Sequence, residues 1–111
     1  LVGDSLGMVL YGMKTTREVK LDTMILHGKA VKNFTKNSLV VFDMPYKTYT
    51  NKYIAYKNAR KIIRITKCDA IKIEGGKVEH KIFQAKSNSN FARLFLAPIT
   101  PYEGVIRITA Q

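Results

Sequence analysis

The chain alternates between short continuous apolar runs and longer stretches in which apolar residues recur every three or four positions. Leu1 to Asp4 reads as the end of a strand, followed by a loop rich in glycine at Gly3, Gly7 and Gly12. Leu21, Met24, Ile25 and Val31, with the small Gly28 between them, define a helical stripe that Thr15 or Thr16 is placed to cap. Leu39-Val40-Val41-Phe42 is a continuous apolar run, as expected of a strand buried on both faces of a parallel sheet, and it stops at Asp43-Met44-Pro45. From Asn51 to Lys67, the apolar Ile54, Ala55, Ala59, Ile62 and Ile63 interleave with Lys52, Lys57, Arg60, Lys61, Arg64 and Lys67, the pattern of an amphipathic helix. A third strand, Ala70-Ile71-Lys72-Ile73-Glu74, is closed by Gly75-Gly76. A third helix is expected from Val78 to about Lys86, broken by Ser87-Asn88-Ser89-Asn90, and Arg93-Leu94-Phe95-Leu96-Ala97 is the fourth strand. Strand, helix, strand, helix with short turns predicts an α/β fold with a parallel sheet.

Composition narrows the class. The 111 residues are 46% hydrophobic and 24% charged, which suits one domain with a packed core and excludes wholesale disorder. No apolar run approaches the roughly 18 residues of a membrane helix. The single cysteine, Cys68, has no internal disulfide partner, so a reducing cytoplasmic compartment is expected. The net charge of +11 would suit an anionic partner, but the basic residues are 14 Lys against 5 Arg, spread along the chain and placed on the polar side of the second helix. That distribution describes a solvated surface, and a nucleic-acid footprint is not expected.

Candidate chemistry collects at the strand ends. Asp4 closes the first strand, Asp43 the second and Glu74 the third, at equivalent points of consecutive βα units. In parallel α/β sheets the carboxyl ends of the strands form the ligand-binding face, where side chains from separate strands converge. Carboxylates brought together call for a cation, and oxygen donors with retained waters suit Mg²⁺. Lys72 lies two residues before Glu74, so on a strand both point to the same side and a cationic donor stands beside the acidic group. The bland alternative is that these aspartates cap turns.

Other motifs carry less. Gly3-Asp4-Ser5-Leu6 spells a string used by one esterase class, but the only histidines, His27 and His80, lack the Asp-x-x-His context that would activate a serine. Gly75-Gly76 reads as a turn rather than a phosphate cradle. His27 is expected to pack partly exposed on its helix, His80 to lie at the surface, and Cys68 to act as a small buried apolar group.

Five segments, taken in order, resemble one family. Leu1-Val-Gly-Asp-Ser-Leu-Gly-Met-Val-Leu-Tyr-Gly12, Leu21-Asp-Thr-Met-Ile-Leu-His-Gly-Lys-Ala-Val31, Asp43-Met-Pro-Tyr-Lys-Thr-Tyr49, Asn58-Ala59 and Ile71-Lys-Ile-Glu-Gly-Gly76 are similar to ketopantoate hydroxymethyltransferases. The resemblance implies a (βα)₈ TIM-type barrel, of which this chain supplies about four parallel strands with outer helices. It also implies Mg²⁺ dependence, a homo-oligomer of ten subunits, and one-carbon transfer from 5,10-methylenetetrahydrofolate to 3-methyl-2-oxobutanoate, giving 2-dehydropantoate in pantothenate biosynthesis. Carried over, Asp4, Asp43 and Glu74 match metal-site residues, while Asp4, Ser5, Asp43 and Lys72 match contacts to the small-molecule 2-oxo acid.

The resemblance is close over residues 1–76 and fades over 77–111, so a single incomplete barrel domain with a diverged tail is expected. Where the family has a histidine after its next strand, Leu96 stands here. The family's catalytic base, a glutamate farther along its barrel, has no counterpart, and its first strand would precede Leu1, so the chain is expected to be truncated and impaired in catalysis. Two alternatives stay open: a non-enzymatic basic binding module, or an inactive gene remnant. A separately encoded fragment supplying the other barrel half is a further expected partner.

Overall fold

The structure is a computed structural model that describes the backbone of residues 1–74, 83–85, 92–100 and 103–110, and the side chains through residue 73. Its elements, in order, are α1 (Leu6–Tyr11), a 3₁₀ turn (Thr16–Glu18), α2 (Leu21–Phe34), β1 (Val41–Asp43), α3 (Lys52–Thr66), β2 (Ala70–Glu74), β3 (Phe83–Ala85), β4 (Ala92–Thr100) and β5 (Glu103–Ala110).

Local chemistry sets the helix ends. At the start of α3 the Asn51 side chain accepts from the Ile54 N–H at 2.9 Å, satisfying a backbone donor that the first turn leaves open. The same helix ends where Lys67 turns left-handed at φ 60° and its N–H reaches Ile63 O. Between these caps, Ala55, Ala59, Ile62 and Thr66 form the buried stripe, and the Thr66 hydroxyl returns its hydrogen to Ile62 O at 2.8 Å. Thr15 and Thr16 do not cap the second helix as expected. They open the 3₁₀ turn, whose Glu18 carboxylate accepts from the Lys14 and Thr15 N–H groups, and α2 starts later at Leu21.

The sheet begins with three parallel segments. Val2 bridges Phe42, with Val2 N donating to Val41 O and Asp43 N donating to Val2 O. β1 and β2 then pair in parallel, Val41 with Ala70, Phe42 with Ile71 and Asp43 with Lys72. Phe42 and Ile71 are fully buried and belong to one apolar cluster with Val2, Met24, Ile62 and Ile73. Each such side chain contributes about 1.5–3 kcal/mol by leaving water. Gly28 allows α2 to lie against the sheet: a Cβ there would stand 2.7 Å from the Phe42 ring. Val31, expected on the buried stripe, is 44% exposed, and Leu39, expected in the strand, is 69% exposed. Burial at α2 stops at Gly28, and the strand starts after Leu39, because the chain enters the sheet only at Val40 and Val41.

Beyond β2 the sheet changes sense, and here the expectation of four parallel strands is corrected. β5 pairs antiparallel with β2, from Ala70 opposite Arg107 to Glu74 opposite Glu103, and the order across the sheet is β1-β2-β5-β4-β3. The fourth strand exists, as β4, but it pairs antiparallel with β5 rather than parallel with β2. Two residues separate β4 from β5, which fits an antiparallel neighbour and is far short of the roughly dozen residues of a parallel crossover, and β5 then occupies the edge of β2 that a parallel fourth strand would have taken. The helix expected from Val78 to Lys86 is likewise replaced at Phe83–Ala85 by β3, and the rest of that segment lies outside the described residues. The described residues form a mixed α/β sheet without barrel closure.

Candidate functional site

The site is built where the three parallel segments end. In β1, Phe42 turns toward the helices, so the next residue, Asp43, faces the opposite side of the sheet. Lys72 is its register partner in β2 and faces the same side, with Nζ 3.9 Å from Asp43 Oδ1. Both side chains are withdrawn from solvent, Lys72 at 13% and Asp43 at 4% exposure. At that depth an ammonium offsets much of the cost of a dehydrated carboxylate. Asp43 Oδ2 accepts the Asp4 N–H at 3.3 Å, across 39 residues of sequence, so the end of the first segment is tied to the carboxylate of the second. The Met44 N–H donates to Lys72 O at 2.9 Å and extends the pairing by one residue past the strand.

Ser5 follows Asp4 on the exposed surface at the N-terminus of α1, where its carbonyl accepts from the Met8 and Val9 N–H groups. Glu74 ends β2 two residues beyond Lys72, and its side chain lies outside the described residues. The structure therefore brings Asp4, Asp43 and Lys72 together at one end of the sheet and sets Ser5 beside them.

No group of three or more His, Cys, Asp and Glu residues among the described ones could enclose a metal ion. The donors present, the carboxyl groups of Asp43 and Asp4, are hard oxygens on two adjacent strand ends, a set suited to a cation that keeps several waters, as Mg²⁺ does. They fit such an ion better than zinc, which favours nitrogen and sulfur.

The loop after β1 closes tightly over the same end. Thr48 bonds back to Pro45 O through both its N–H, at 3.2 Å, and its hydroxyl, at 2.6 Å, and Asn58 of α3 donates to Thr48 O at 2.8 Å. Inside this loop Lys47 adopts φ 65°. The Tyr46 ring carries Arg17, 4.9 Å from its centroid, and Lys47 at 5.7 Å. Sequence reading passed over this trio. Its available signal was the interleaving of Tyr46, Lys47, Tyr49, Lys52, Tyr53, Tyr56 and Lys57, but Arg17 meets Tyr46 only in three dimensions.

The remaining singled-out residues have structural partners. His27 Nε2 and Tyr11 OH are 2.8 Å apart, with the rings edge to face. Burial pushes the Cys68 thiol above its ordinary range, against the pull of the Thr66 hydroxyl. At the amino ends of the strands, Asp69 accepts from Lys32 Nζ at 2.7 Å and from the Val40 N–H at 2.8 Å. Partial desolvation pushes the Asp69 carboxyl up, but these two donors outweigh it and hold the group below its usual value. His80 lies outside the described residues.

A parallel α/β core with a buried carboxylate and its lysine partner at the strand ends is the arrangement in which α/β folds place their ligand sites, at the carboxyl edge of the sheet. The sequence model of the family described as ketopantoate hydroxymethyltransferase matches residues 1–89, and this chain belongs to that family. It is 60% identical over 77 residues to the 3-methyl-2-oxobutanoate hydroxymethyltransferase of Pelagibacter ubique, covering 69% of this chain and 30% of that protein. The enzyme of the same name from Rhizobium etli is 57% identical over 77 residues, 68% of this chain and 28% of the relative. That from Anaplasma marginale is 54% identical over 76 residues, 68% and 27%. The chain thus spans less than a third of the length of the curated relatives it matches. No helix among the described residues is long and apolar enough to cross a membrane.

Proposed function

We infer that this chain carries the metal and 2-oxo acid half-site of a hydroxymethyltransferase that moves a one-carbon unit from 5,10-methylenetetrahydrofolate to 3-methyl-2-oxobutanoate, giving 2-dehydropantoate in pantothenate biosynthesis. The observation that carries this reading is the buried Asp43 carboxylate, held between the Asp4 N–H and the Lys72 ammonium at the ends of adjacent strands. Asp43 and Asp4, with Glu74 at the end of β2, would hold Mg²⁺, which when bound supplies positive charge that favours loss of the proton from C3 of the acid. Lys72 attracts the acid's carboxylate to the same face and offsets its charge as water leaves. The Ser5 hydroxyl, on the residue after Asp4, would donate a further hydrogen bond that orients the acid. Among the described residues, the Asp43 and Lys72 pair that would hold the acid includes no spare base for C3, so proton removal falls to a group outside it.

The test is calorimetric. Mg²⁺ titrated into the 111-residue chain with 3-methyl-2-oxobutanoate present is expected to bind, and Asp43→Asn to weaken that binding at least about tenfold, or ~1.4 kcal/mol. Equal Mg²⁺ affinity in the variant, with its thermal unfolding still cooperative, would remove Asp43 from the metal site and the reading with it.

A further inference from the structure

We propose that Arg17, Tyr46 and Lys47 form a second anion subsite on the rim of the strand-end face, which takes a ligand bearing two or more negatively charged oxygens. Three observations support it. The first is convergence: Arg17 lies in the 3₁₀ turn that follows α1 and Lys47 in the loop that follows β1, yet both charges are drawn to one tyrosine ring, at 4.9 and 5.7 Å from its centroid. Two cations gathered at one exposed ring make that spot strongly positive, and the quadrupole of the ring offsets only part of the charge. Among the described residues neither cation has a carboxylate partner; the nearest in sequence, Glu18, is occupied with the Lys14 and Thr15 N–H groups. A bound polyanion would complement both charges.

The second observation is the backbone at Lys47. Its φ of 65° is a conformation that glycine adopts without penalty and a lysine only at a cost of ~1 kcal/mol. The conformation is held from three directions, by the two bonds from Thr48 to Pro45 O and by the bond from Asn58 to Thr48 O. In this turn the Lys47 ammonium lies over the ring that also carries Arg17.

The third is position. Tyr46 is three residues past Asp43, so its backbone lies within about 11 Å of the strand end. A ligand reaching from the Asp43 and Lys72 pair could therefore place a distal anionic group on the rim, while Lys72 serves a separate charge. The subsite differs in residues and in charge from the metal site, and it stands or falls independently of it.

The experiment uses the full chain and two probes, tri-L-glutamate and inorganic phosphate, titrated at low and at moderate salt. Binding of either is expected to weaken as salt rises and to fall about threefold to tenfold in Arg17→Gln. Lys47→Gly separates charge from folding: it should lose the same affinity while unfolding at an equal or higher temperature, because the strain is relieved. Lys36→Gln, which removes one charge elsewhere on the exposed surface, should bind as the parent does. The relative affinity of the two probes tells a carboxylate from a phosphate ligand. The proposal is overturned if neither probe binds the parent chain, if Arg17→Gln and Lys47→Gly bind as well as the parent, or if Lys36→Gln weakens binding equally. Mg²⁺ titration of the same variants is expected to be unchanged, which keeps this result distinct from the test of Asp43.

Discussion

Asp43 and Lys72 are register partners on neighbouring parallel strands, and their charged atoms meet 3.9 Å apart on the side of the sheet away from the helices. The separation is long for a direct hydrogen bond and short for an electrostatic contact. The carboxylate is oriented by the Asp4 N–H and faced by the Lys72 ammonium.

That geometry makes opposite demands on the two residues. Lys72→Met keeps the length of the side chain and removes the charge, leaving a buried carboxylate with less compensation. It is expected to destabilise the fold by ~1–3 kcal/mol in denaturant unfolding. It should also weaken binding of 3-methyl-2-oxobutanoate more than Lys72→Arg does. If Lys72→Met binds the acid as tightly as the parent does, the lysine has no part in substrate binding.

Gly28 fixes how closely α2 approaches the sheet. Adding one methyl group, in Gly28→Ala, sets a carbon 2.7 Å from the Phe42 ring and must move either the helix or the ring. Overpacking of this kind costs ~1–3 kcal/mol, outweighing the better helix propensity of alanine. A lower thermal midpoint is the expected result; an unchanged or raised one would show that Phe42 can yield without cost.

Asp69 makes stability depend on acid. Its folded-state carboxyl lies below its ordinary value because Lys32 and the Val40 N–H outweigh the effect of its desolvation. A depressed folded value contributes stability that is present above the unfolded value and is lost as the pH falls through the folded one. Melting curves taken from about pH 5 down to about pH 2 should show a declining midpoint, and Asp69→Asn should flatten part of that decline. The pair is about a third exposed, so solvent screening keeps the effect modest.

Cys68 is buried and its thiol is pushed up by desolvation, so little thiolate exists near neutral pH. A thiol-reactive chromophore is expected to label it slowly in the native chain and rapidly in denaturant. Fast native labelling would mean that the end of α3 opens readily.

What the sequence revealed and what it withheld divide along physical lines. The helix from Asn51 to Lys67 was legible nearly to its ends, because its apolar positions recur at helical spacing with lysines and arginines filling the opposite face. The strand positions of Asp43 and Glu74 were legible because apolar runs stop there, and that of Lys72 because it lies two residues before Glu74 on the same strand. The contact between the Asp4 N–H and Asp43 was not, since nothing local encodes a bond between residues 39 apart. The antiparallel turn of the sheet after β2 was missed for a related reason: an apolar run such as Arg93 to Ala97 shows that a strand exists but not which neighbour it takes. The cluster at Tyr46 escaped because a left-handed lysine leaves no mark in the pattern of apolar positions.

A lysine and an aspartate meet at each end of the two parallel strands, Lys32 reaching in from α2 and Lys72 standing in β2, and the two pairs are built differently. At the amino ends Lys32 and Asp69 are in direct contact at 2.7 Å and also hold the Val40 backbone; at the carboxyl ends Lys72 stands off from Asp43 at 3.9 Å. The foot of the sheet is thus fastened by a side chain that reaches in from a helix, whereas both charges at its head come from the strands themselves. Residues at the head can be exchanged to retune what is bound there while the foot keeps the strands aligned, so a designer seeking new chemistry on this frame would vary Asp43 and its neighbours and leave Asp69 alone.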